Sequence, residues 1–204
     1  GYSITTGTKN VLMGHLTGDN MTTGSNSTFV GYEAGGAVTT GLSNTLIGAS
    51  AGDALTDADN NVAIGIGALG ADTLGSRSIA IGESALANQN FTTATLSYNT
   101  VVGAAAGFAV TTGGNNTLIG GLAGDSITTG SNNTIIGKSA GDALTSGTNN
   151  NLIGGLAGDA LTTGTSNNIM GVSCGTALTD ADYNVAIGQQ TLNSDTLGST
   201  TVAI

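Results

Sequence analysis

The sequence lacks proline and tryptophan altogether and has few aromatic or charged residues. Aromatic residues make up 3% of its 204 residues and charged residues 8%, whereas 35 residues are glycine. The scarcity of bulky side chains argues against a thick globular core, and the lack of proline excludes a collagen-like chain. A hydrophobic content of 39% is unlike that of a chain kept disordered by its charge. We therefore predict an ordered protein with a thin core.

Basic residues are also few. Only Lys9, Arg77 and Lys138 oppose 13 acidic residues, so the net charge is −10. Nucleic acids and anionic membrane surfaces attract clustered Lys and Arg, so we predict neither as a partner. No apolar run approaches the roughly 20 residues of a membrane span. The one cysteine, Cys174, cannot form an internal disulfide. It stands where other repeats carry alanine, which predicts a small buried side chain.

A short motif, Asn-Thr-Ile-Ile-Gly at 133–137, recurs along the whole chain. Its closing glycines lie at 14, 31, 48, 65, 82, 103, 120, 137, 154, 171 and 188, with steps of 17 residues except one step of 21. A fixed short period is the signature of stacked repeats. We predict an all-β, parallel β-solenoid of about twelve coils in one segment, 1–204, with a bulged coil within 86–106. Two β-capable runs per unit predict two short strands and two turns per coil.

Stacked coils place equivalent residues in columns, and two polar columns are nearly unbroken. Stacked amides and hydroxyls can bond to the coils above and below, so both columns are predicted to be structural ladders. The predicted ladder residues are Asn44, Asn61, Asn116, Asn133, Asn150, Asn167, Asn184, Thr39, Thr128 and Thr162.

Both residues before each closing glycine are apolar throughout. Successive strand residues point to opposite faces, so one column fills the core and the other faces outward along the whole length. Such a stripe marks an interface, which we interpret as parallel association with other copies, most simply as a homotrimer. The residues predicted for the core or this interface are Leu46, Ile47, Ile64, Leu118, Ile119, Ile135, Ile136, Leu152, Ile153 and Ile187.

A longer repeat lies on top of the short one, because residues 53–81 match residues 176–204 at 19 of 29 positions. The offset of 123 residues is seven units of 17 plus the four extra residues. We expect the chain to belong to a longer array of such blocks, each with a bulged coil. Within 87–98 the bulge adds Phe91 and Tyr98 to a chain that is poor in aromatic residues.

Two motifs carry a family resemblance. Residues 60–65 (NNVAIG) and 78–82 (SIAIG) resemble the head repeats of YadA-like trimeric autotransporter adhesins. Residues 131–137 (SNNTIIG), followed by Ala140-Gly141, resemble 17-residue repeats in tail-fibre and surface-fibre proteins of phages and bacteria. The resemblance implies a left-handed β-roll, three parallel chains and a role in the shaft or head of an adhesive fibre. It leaves bacterial and viral origin open.

Candidate chemistry is sparse. Asp57/Asp59 and Asp180/Asp182 could contribute oxygens to Ca²⁺, but further ligands are not evident, and turn-forming aspartate is the favoured interpretation. His15 has no metal-ligand or catalytic partner in the sequence pattern. We therefore expect no catalytic residue, metal, cofactor or enzymatic activity.

These patterns lead to a functional hypothesis: an extracellular, cell-surface or virion fibre segment that holds a distal receptor-binding end. That distal region, outside this segment, is where a host-cell or surface glycan would bind. The alternative is an ice-binding solenoid that uses the threonine column. Its neighbouring rank is interrupted by Asp57, Leu74, Asp180 and Leu197, whereas an ice-binding face needs two regular ranks.

Overall fold

Short parallel strands, one in each coil, are the main regular elements of the computed structural model, which describes all 204 residues. No helix is present, so none could cross a membrane. The strands are β1 (Val11–Met13), β2 (Thr28–Val30), β3 (Thr45–Ile47), β4 (Val62–Ile64), β5 (Gly75–Ser76), β6 (Ile79–Ile81), β7 (Thr95–Leu96), β8 (Thr100–Val102), β9 (Thr117–Ile119), β10 (Thr134–Ile136), β11 (Asn151–Ile153), β12 (Asn168–Met170), β13 (Val185–Ile187) and β14 (Val202–Ala203).

All strands except β5 and β7 form one parallel 12-stranded sheet in chain order. Each strand pairs with the equivalent residues of the next coil, for example Thr117 with Thr134. The offset is 17 residues everywhere except between β6 and β8, where Ile79 pairs with Thr100. Twelve strands thus delimit about 11 turns of the solenoid. The predicted all-β parallel β-solenoid with a 17-residue period is confirmed.

The prediction of two strands per coil is wrong, because the second β-capable run forms no strand in a regular coil. In the run near Leu144, the backbone N–H of Thr145 donates to the carbonyl of Thr162 in the next coil. The N–H of Leu144 instead donates back to the carbonyl of Gly141, which closes a local turn. A segment that gives part of its hydrogen bonding to its own turn cannot extend a ladder.

The closing glycines hold the coils at their close spacing. Their φ angles lie between 128° and 148°, a region that side-chain-bearing residues rarely adopt. In the first ten, a Cβ atom would lie 2.2–2.7 Å from the carbonyl oxygen of the next closing glycine, closer than any real contact. The strict recurrence of glycine therefore follows from both backbone conformation and lack of space.

The core is a thin column that runs the length of the solenoid. Its main residues are the middle residues of the strands, such as Phe29 and Leu46, which are fully buried. They pack against a column of small residues three positions after each closing glycine and an apolar column seven positions after it. Cys174 lies in the small-residue column and is fully buried, as predicted.

Core volume is balanced within each coil between the middle strand residue and the residue six positions later. Where the middle residue is large, as at Leu46, the later residue is glycine, and a Cβ at Gly52 would lie 2.8 Å from a Leu46 methyl group. Where the middle residue is alanine, the later residue is leucine, as in Ala63 with Leu69. The same exchange occurs at Ala80/Leu86 and Ala186/Leu192. Each leucine adopts a positive φ and fills the space that its alanine leaves.

This balance predicts strong coupling between Ala63 and Leu69. Ala63→Leu should overpack the core at a cost of about 1–3 kcal/mol, and Leu69→Gly should leave a cavity that costs about 2–5 kcal/mol. The double variant recreates the Leu46/Gly52 arrangement and should unfold close to the wild type. Denaturant unfolding of the four proteins measures the coupling. Additive losses in the double variant would contradict the exchange of volume.

Candidate interaction surface

The outward side of the 12-stranded sheet is a regular surface that continues from the first coil to the last. The first and third residues of each strand point away from the core, and we call this surface the sheet face. Its first column consists of Val11, Thr28, Thr45, Val62, Ile79, Thr100, Thr117, Thr134, Asn151, Asn168, Val185 and Val202. Its third column consists of Met13, Val30, Ile47, Ile64, Ile81, Val102, Ile119, Ile136, Ile153, Met170, Ile187 and, just after β14, Ile204.

The structure separates the two apolar columns that the sequence left equivalent. The middle column faces the core and includes the predicted residues Leu46, Leu118, Ile135 and Leu152. The third column faces outward and includes the other six predicted residues, Ile47, Ile64, Ile119, Ile136, Ile153 and Ile187. Ile119 and Ile187 are about two-fifths exposed, at 37% and 41%. The isolated chain therefore leaves an aliphatic stripe in contact with solvent.

Charge is absent from the sheet face. None of the three basic and 13 acidic residues of the chain occupies one of its positions, so all of them lie on other sides of the coil or in the core. The third column is aliphatic or methionine in every coil, and the first is Thr, Val, Ile or Asn. An uncharged, mainly apolar strip of this length is unusual on a soluble surface and is typical of an interaction site.

The asparagine column is buried and works as an internal ladder. Asn133 shows the pattern: its Nδ2 donates to the carbonyl of Gly147 at 2.9 Å, and its Oδ1 accepts the backbone N–H of Asn150 at 3.0 Å. Each amide thus satisfies one turn carbonyl and one N–H of the following coil. The predicted members Asn44, Asn61, Asn116, Asn133, Asn150, Asn167 and Asn184 are all at most 1% exposed.

Asn133→Leu should destabilise the solenoid, because the carbonyl of Gly147 and the N–H of Asn150 lose their side-chain partner. We expect a loss of about 3 kcal/mol in unfolding free energy. Asn149→Ser is the matched control, because Asn149 is exposed in a turn where other coils carry serine. It should change stability by less than about 0.5 kcal/mol. Equal effects of the two substitutions would show that the buried ladder is not a main stabilising element.

The threonine column is also engaged within the chain. The hydroxyl of Thr128 donates to the carbonyl of Thr145 at 3.3 Å, and that of Thr145 donates to the carbonyl of Thr162 at 3.1 Å. Thr39 and Thr162 instead donate to carboxylates of the next coil, Oδ1 of Asp57 at 2.7 Å and Oδ1 of Asp180 at 2.5 Å. The hydroxyls of this column therefore link one coil to the next.

The paired carboxylates Asp57 and Asp59 accept hydrogen bonds from the preceding coil. Oδ1 of Asp57 accepts the hydroxyls of Thr40 and Thr39, and these bonds lower the pKa of Asp57. Oδ1 of Asp59 accepts the backbone N–H of Leu42 at 2.7 Å. Asp180 and Asp182 have equivalent partners in Thr162, Thr163 and Thr165. Both pairs thus act as inter-coil acceptors, and no group of three ligating side chains could hold a metal ion.

A second acidic column stacks Asp125, Asp142 and Asp159 in successive coils. The pKa of Asp125 is raised to about 6, mainly by burial and further by the neighbouring Asp142. Burial likewise raises the pKa of Asp159. Oδ1 of Asp125 and of Asp159 is buried without a hydrogen-bond partner. Stacking at strand spacing therefore brings like charges together at a cost to stability.

Stability should accordingly fall with rising pH at this column. Because the folded-state pKa of Asp125 exceeds its unfolded value, its stabilising contribution is complete below about pH 4 and is lost as the pH passes about 6. Asp125→Asn should therefore be more stable than the wild type at pH 7, by on the order of 1 kcal/mol after solvent screening, and equal to it near pH 4.

The matched control is Asp180→Asn, since hydrogen bonds from Thr162 and then Thr163 lower the pKa of Asp180. This variant should be less stable than the wild type at pH 7, and the difference should disappear in acid. Thermal unfolding at several pH values and one protein concentration measures both effects. An Asp125→Asn curve parallel to that of the wild type would contradict the assigned repulsion.

A buried polar network that the sequence patterns did not reveal joins the bulged coil to the coil before it. Asp72 and Gln89 occupy the apolar core column seven residues after a closing glycine, and both are fully buried. Nε2 of Gln89 donates to Asp72 at 2.6 Å and to Ser78 at 2.9 Å, while Asn99 donates to Oε1 of Gln89 at 2.8 Å. Burial raises the pKa of Asp72 despite these bonds. Counting seven residues from Gly65 and Gly82 would have exposed this break in the column.

The network is next to the point where the chain gains its four extra residues. Oδ1 of Asp72 accepts the backbone N–H groups of Gly75 and Phe91 at 3.1 and 3.0 Å. Phe91 is 8% exposed, whereas residues 92–94 are exposed and carry the inserted length to β7. The guanidinium of Arg77 lies 5.7 Å from the ring centroid of Tyr98. The buried carboxylate of Asp72 thus accepts hydrogen bonds from backbone N–H groups at the point where the coil departs from its regular path.

His15 lies exposed in a turn and stacks on Tyr32, with ring centroids 5.7 Å apart. In the same N-terminal coils, Asp19, Glu33 and Asp53 line an open groove of about 310 Å³ where Gly36 replaces the column aspartate. The other lining residues are Leu16 and Asn20, so carboxylates are the main polar groups of the groove.

No protein-family model, curated protein or solved structure matches the chain. The functional assignment therefore depends on the surfaces that the fold creates. Of these, the sheet face is continuous over all coils, whereas the groove and the bulge are local.

Proposed function

We propose that the chain is a structural segment of the shaft or head of an extracellular, cell-surface or virion fibre. In this proposal, copies of the chain associate in parallel through their sheet faces and hold a distal receptor-binding end, outside this segment, away from the base. The observation that carries the proposal is the uncharged, largely aliphatic sheet face, which spans all twelve strands of the sheet. No cofactor or catalytic activity belongs to this role.

The dimensions of the sheet face suit a stable interface. Eleven steps at the usual strand spacing give a length of about 53 Å, and two side-chain ranks give a width of roughly 10 Å. The footprint, on the order of 500 Å² before corrugation, approaches the roughly 800 Å² per partner of stable complexes. Burial of aliphatic side chains contributes about 25 cal/mol for each Å² removed from water.

Parallel threefold association is the arrangement that we favour. Each coil presents a single sheet face, and a closed ring of three chains lets three identical faces meet around one axis. The resemblance of NNVAIG (60–65) and SIAIG (78–82) to trimeric adhesin repeats supports the number three. The charged columns lie off the sheet face, so they would stay in water around the outside of the fibre.

The alternative, an ice-binding surface on the threonine column, receives less support. The hydroxyl of Thr128 donates to a carbonyl group of the next coil, and those of Thr39 and Thr162 donate to carboxylates there. Hydroxyls used in this way do not present a free, regular array to ice. Thermal hysteresis in a solution of the isolated chain would restore this alternative.

The mass of the purified chain in solution tests the proposal. Light scattering should give three times the chain mass of 19.6 kDa, and negative-stain images should show thin rods. Ile119→Lys together with Ile136→Lys places two charges on the sheet face and should reduce the mass to that of one chain. The matched control is Ile66→Lys with Val172→Lys, two apolar turn residues that are 63% and 55% exposed. A wild-type chain that is monomeric at high concentration would overturn the proposal.

A further inference from the structure

We infer that Asn151 and Asn168 fix the axial register between neighbouring copies on the sheet face. The inference rests on the proposed association of copies and adds which residues align them. The partner is a second copy of this chain, parallel and unshifted, so that its own Asn151 and Asn168 lie at the same heights.

These two residues are the only amides on the sheet face. Both are exposed, and both stand at first strand positions that are otherwise Thr, Val or Ile. Nδ2 of Asn151 donates to Oδ1 of Asn168 at 2.7 Å across the paired strands β11 and β12. Oδ1 of Asn151 and Nδ2 of Asn168 make no hydrogen bond within the chain. The pair therefore presents one acceptor and one donor group outward on a mainly apolar surface.

A repeating face has a difficulty that a unique face does not have. A shift by one coil, about 4.8 Å, places a Thr-x-Ile strand opposite another Thr-x-Ile strand and preserves most apolar contacts. Thr and Val are close in shape, so the exchanges between them along the first column discriminate weakly. Hydrophobic burial has no direction and cannot choose among these staggered arrangements. Some other feature must select the register.

The amide pair supplies that feature. In unshifted copies, the amides of neighbouring chains meet at two successive heights and can complete each other's hydrogen bonds. A shift by one coil leaves one amide of each chain against Thr or Val, and a shift by two coils leaves both. Each buried amide without a partner costs about 1–3 kcal/mol. A single polar residue in an apolar seam selects register in coiled coils by the same means.

The experiment replaces the amides by the threonine that five other strands carry, Asn151→Thr with Asn168→Thr, so that folding is preserved. Two chain populations, one with Ile47→Cys and one with Ile81→Cys, are co-expressed in a Cys174→Ala background. These reporters are two coils apart, roughly 10 Å along the axis, beyond the Cα separation of about 7 Å that a disulfide spans. A disulfide between the two populations therefore forms only in staggered assemblies.

With the natural amides we expect few mixed disulfides. With the threonine variant we expect the fraction of mixed disulfides to rise at least about fivefold, because the cost of two unpaired amides is removed. Thr117→Val with Thr134→Val, in the same column, is the matched control and should keep the low value. Thr117→Asn with Thr134→Asn, added to the threonine variant, moves the pair to another height and should restore the low value.

The outcomes separate this inference from the proposed function. A monomeric wild type removes the association and the register inference with it. An oligomeric wild type whose mixed disulfides stay rare in the threonine variant overturns the register inference alone. An equal rise in the Thr→Val control would also overturn it, because register would then depend on the whole column.

Discussion

The structure depends on the close approach of one coil to the next at the closing glycines. A positive φ and a carbonyl oxygen that takes the place of a Cβ hold the backbone where strands can pair. Once that spacing is fixed, each residue lies above its equivalent in the preceding coil. Columns of Asn133 and its equivalents then satisfy turn carbonyls and backbone N–H groups throughout the core. The same regularity stacks Asp125 on Asp142, so the spacing that stabilises amides also brings carboxylates together.

The sequence was sufficient for the solenoid and its period, because glycine and asparagine recur at positions that only a stacked coil explains. It was insufficient to decide which apolar column faces inward. Ala63 in the middle column gives a small core residue, and only the structure shows that Leu69 fills the missing volume. The second predicted strand failed at Leu144, whose N–H serves a local turn. The direction in which a column faces and the extent of a strand depend on contacts between coils and within turns. Hydrophobic periodicity does not predict these contacts.

The candidate site was predictable only as a class of surface. Two apolar columns implied that one faces outward, but the width of the sheet face, its lack of charge and the amide pair at Asn151 and Asn168 emerge from the register of the strands. The polar core pair Asp72 and Gln89 could have been found by column counting, since both interrupt an apolar series. Polar groups thus differ by position: inside the coil the asparagine column satisfies the backbone, whereas on the sheet face Oδ1 of Asn151 and Nδ2 of Asn168 make no hydrogen bond within the chain.

The pairing of strands only with their immediate neighbours has a mechanical consequence. A pull along the solenoid axis acts on the coils in series, because each strand pairs only with strands of adjacent coils, so coils can be released one by one. Release of one coil converts a rise of about 4.8 Å into 17 residues of extended chain, roughly 55 Å in length. A single chain under tension would therefore lengthen in equal steps except at the 21-residue coil, and each step would be about ten times the rise that it replaces. Such a segment would absorb load by gradual extension before the whole structure failed.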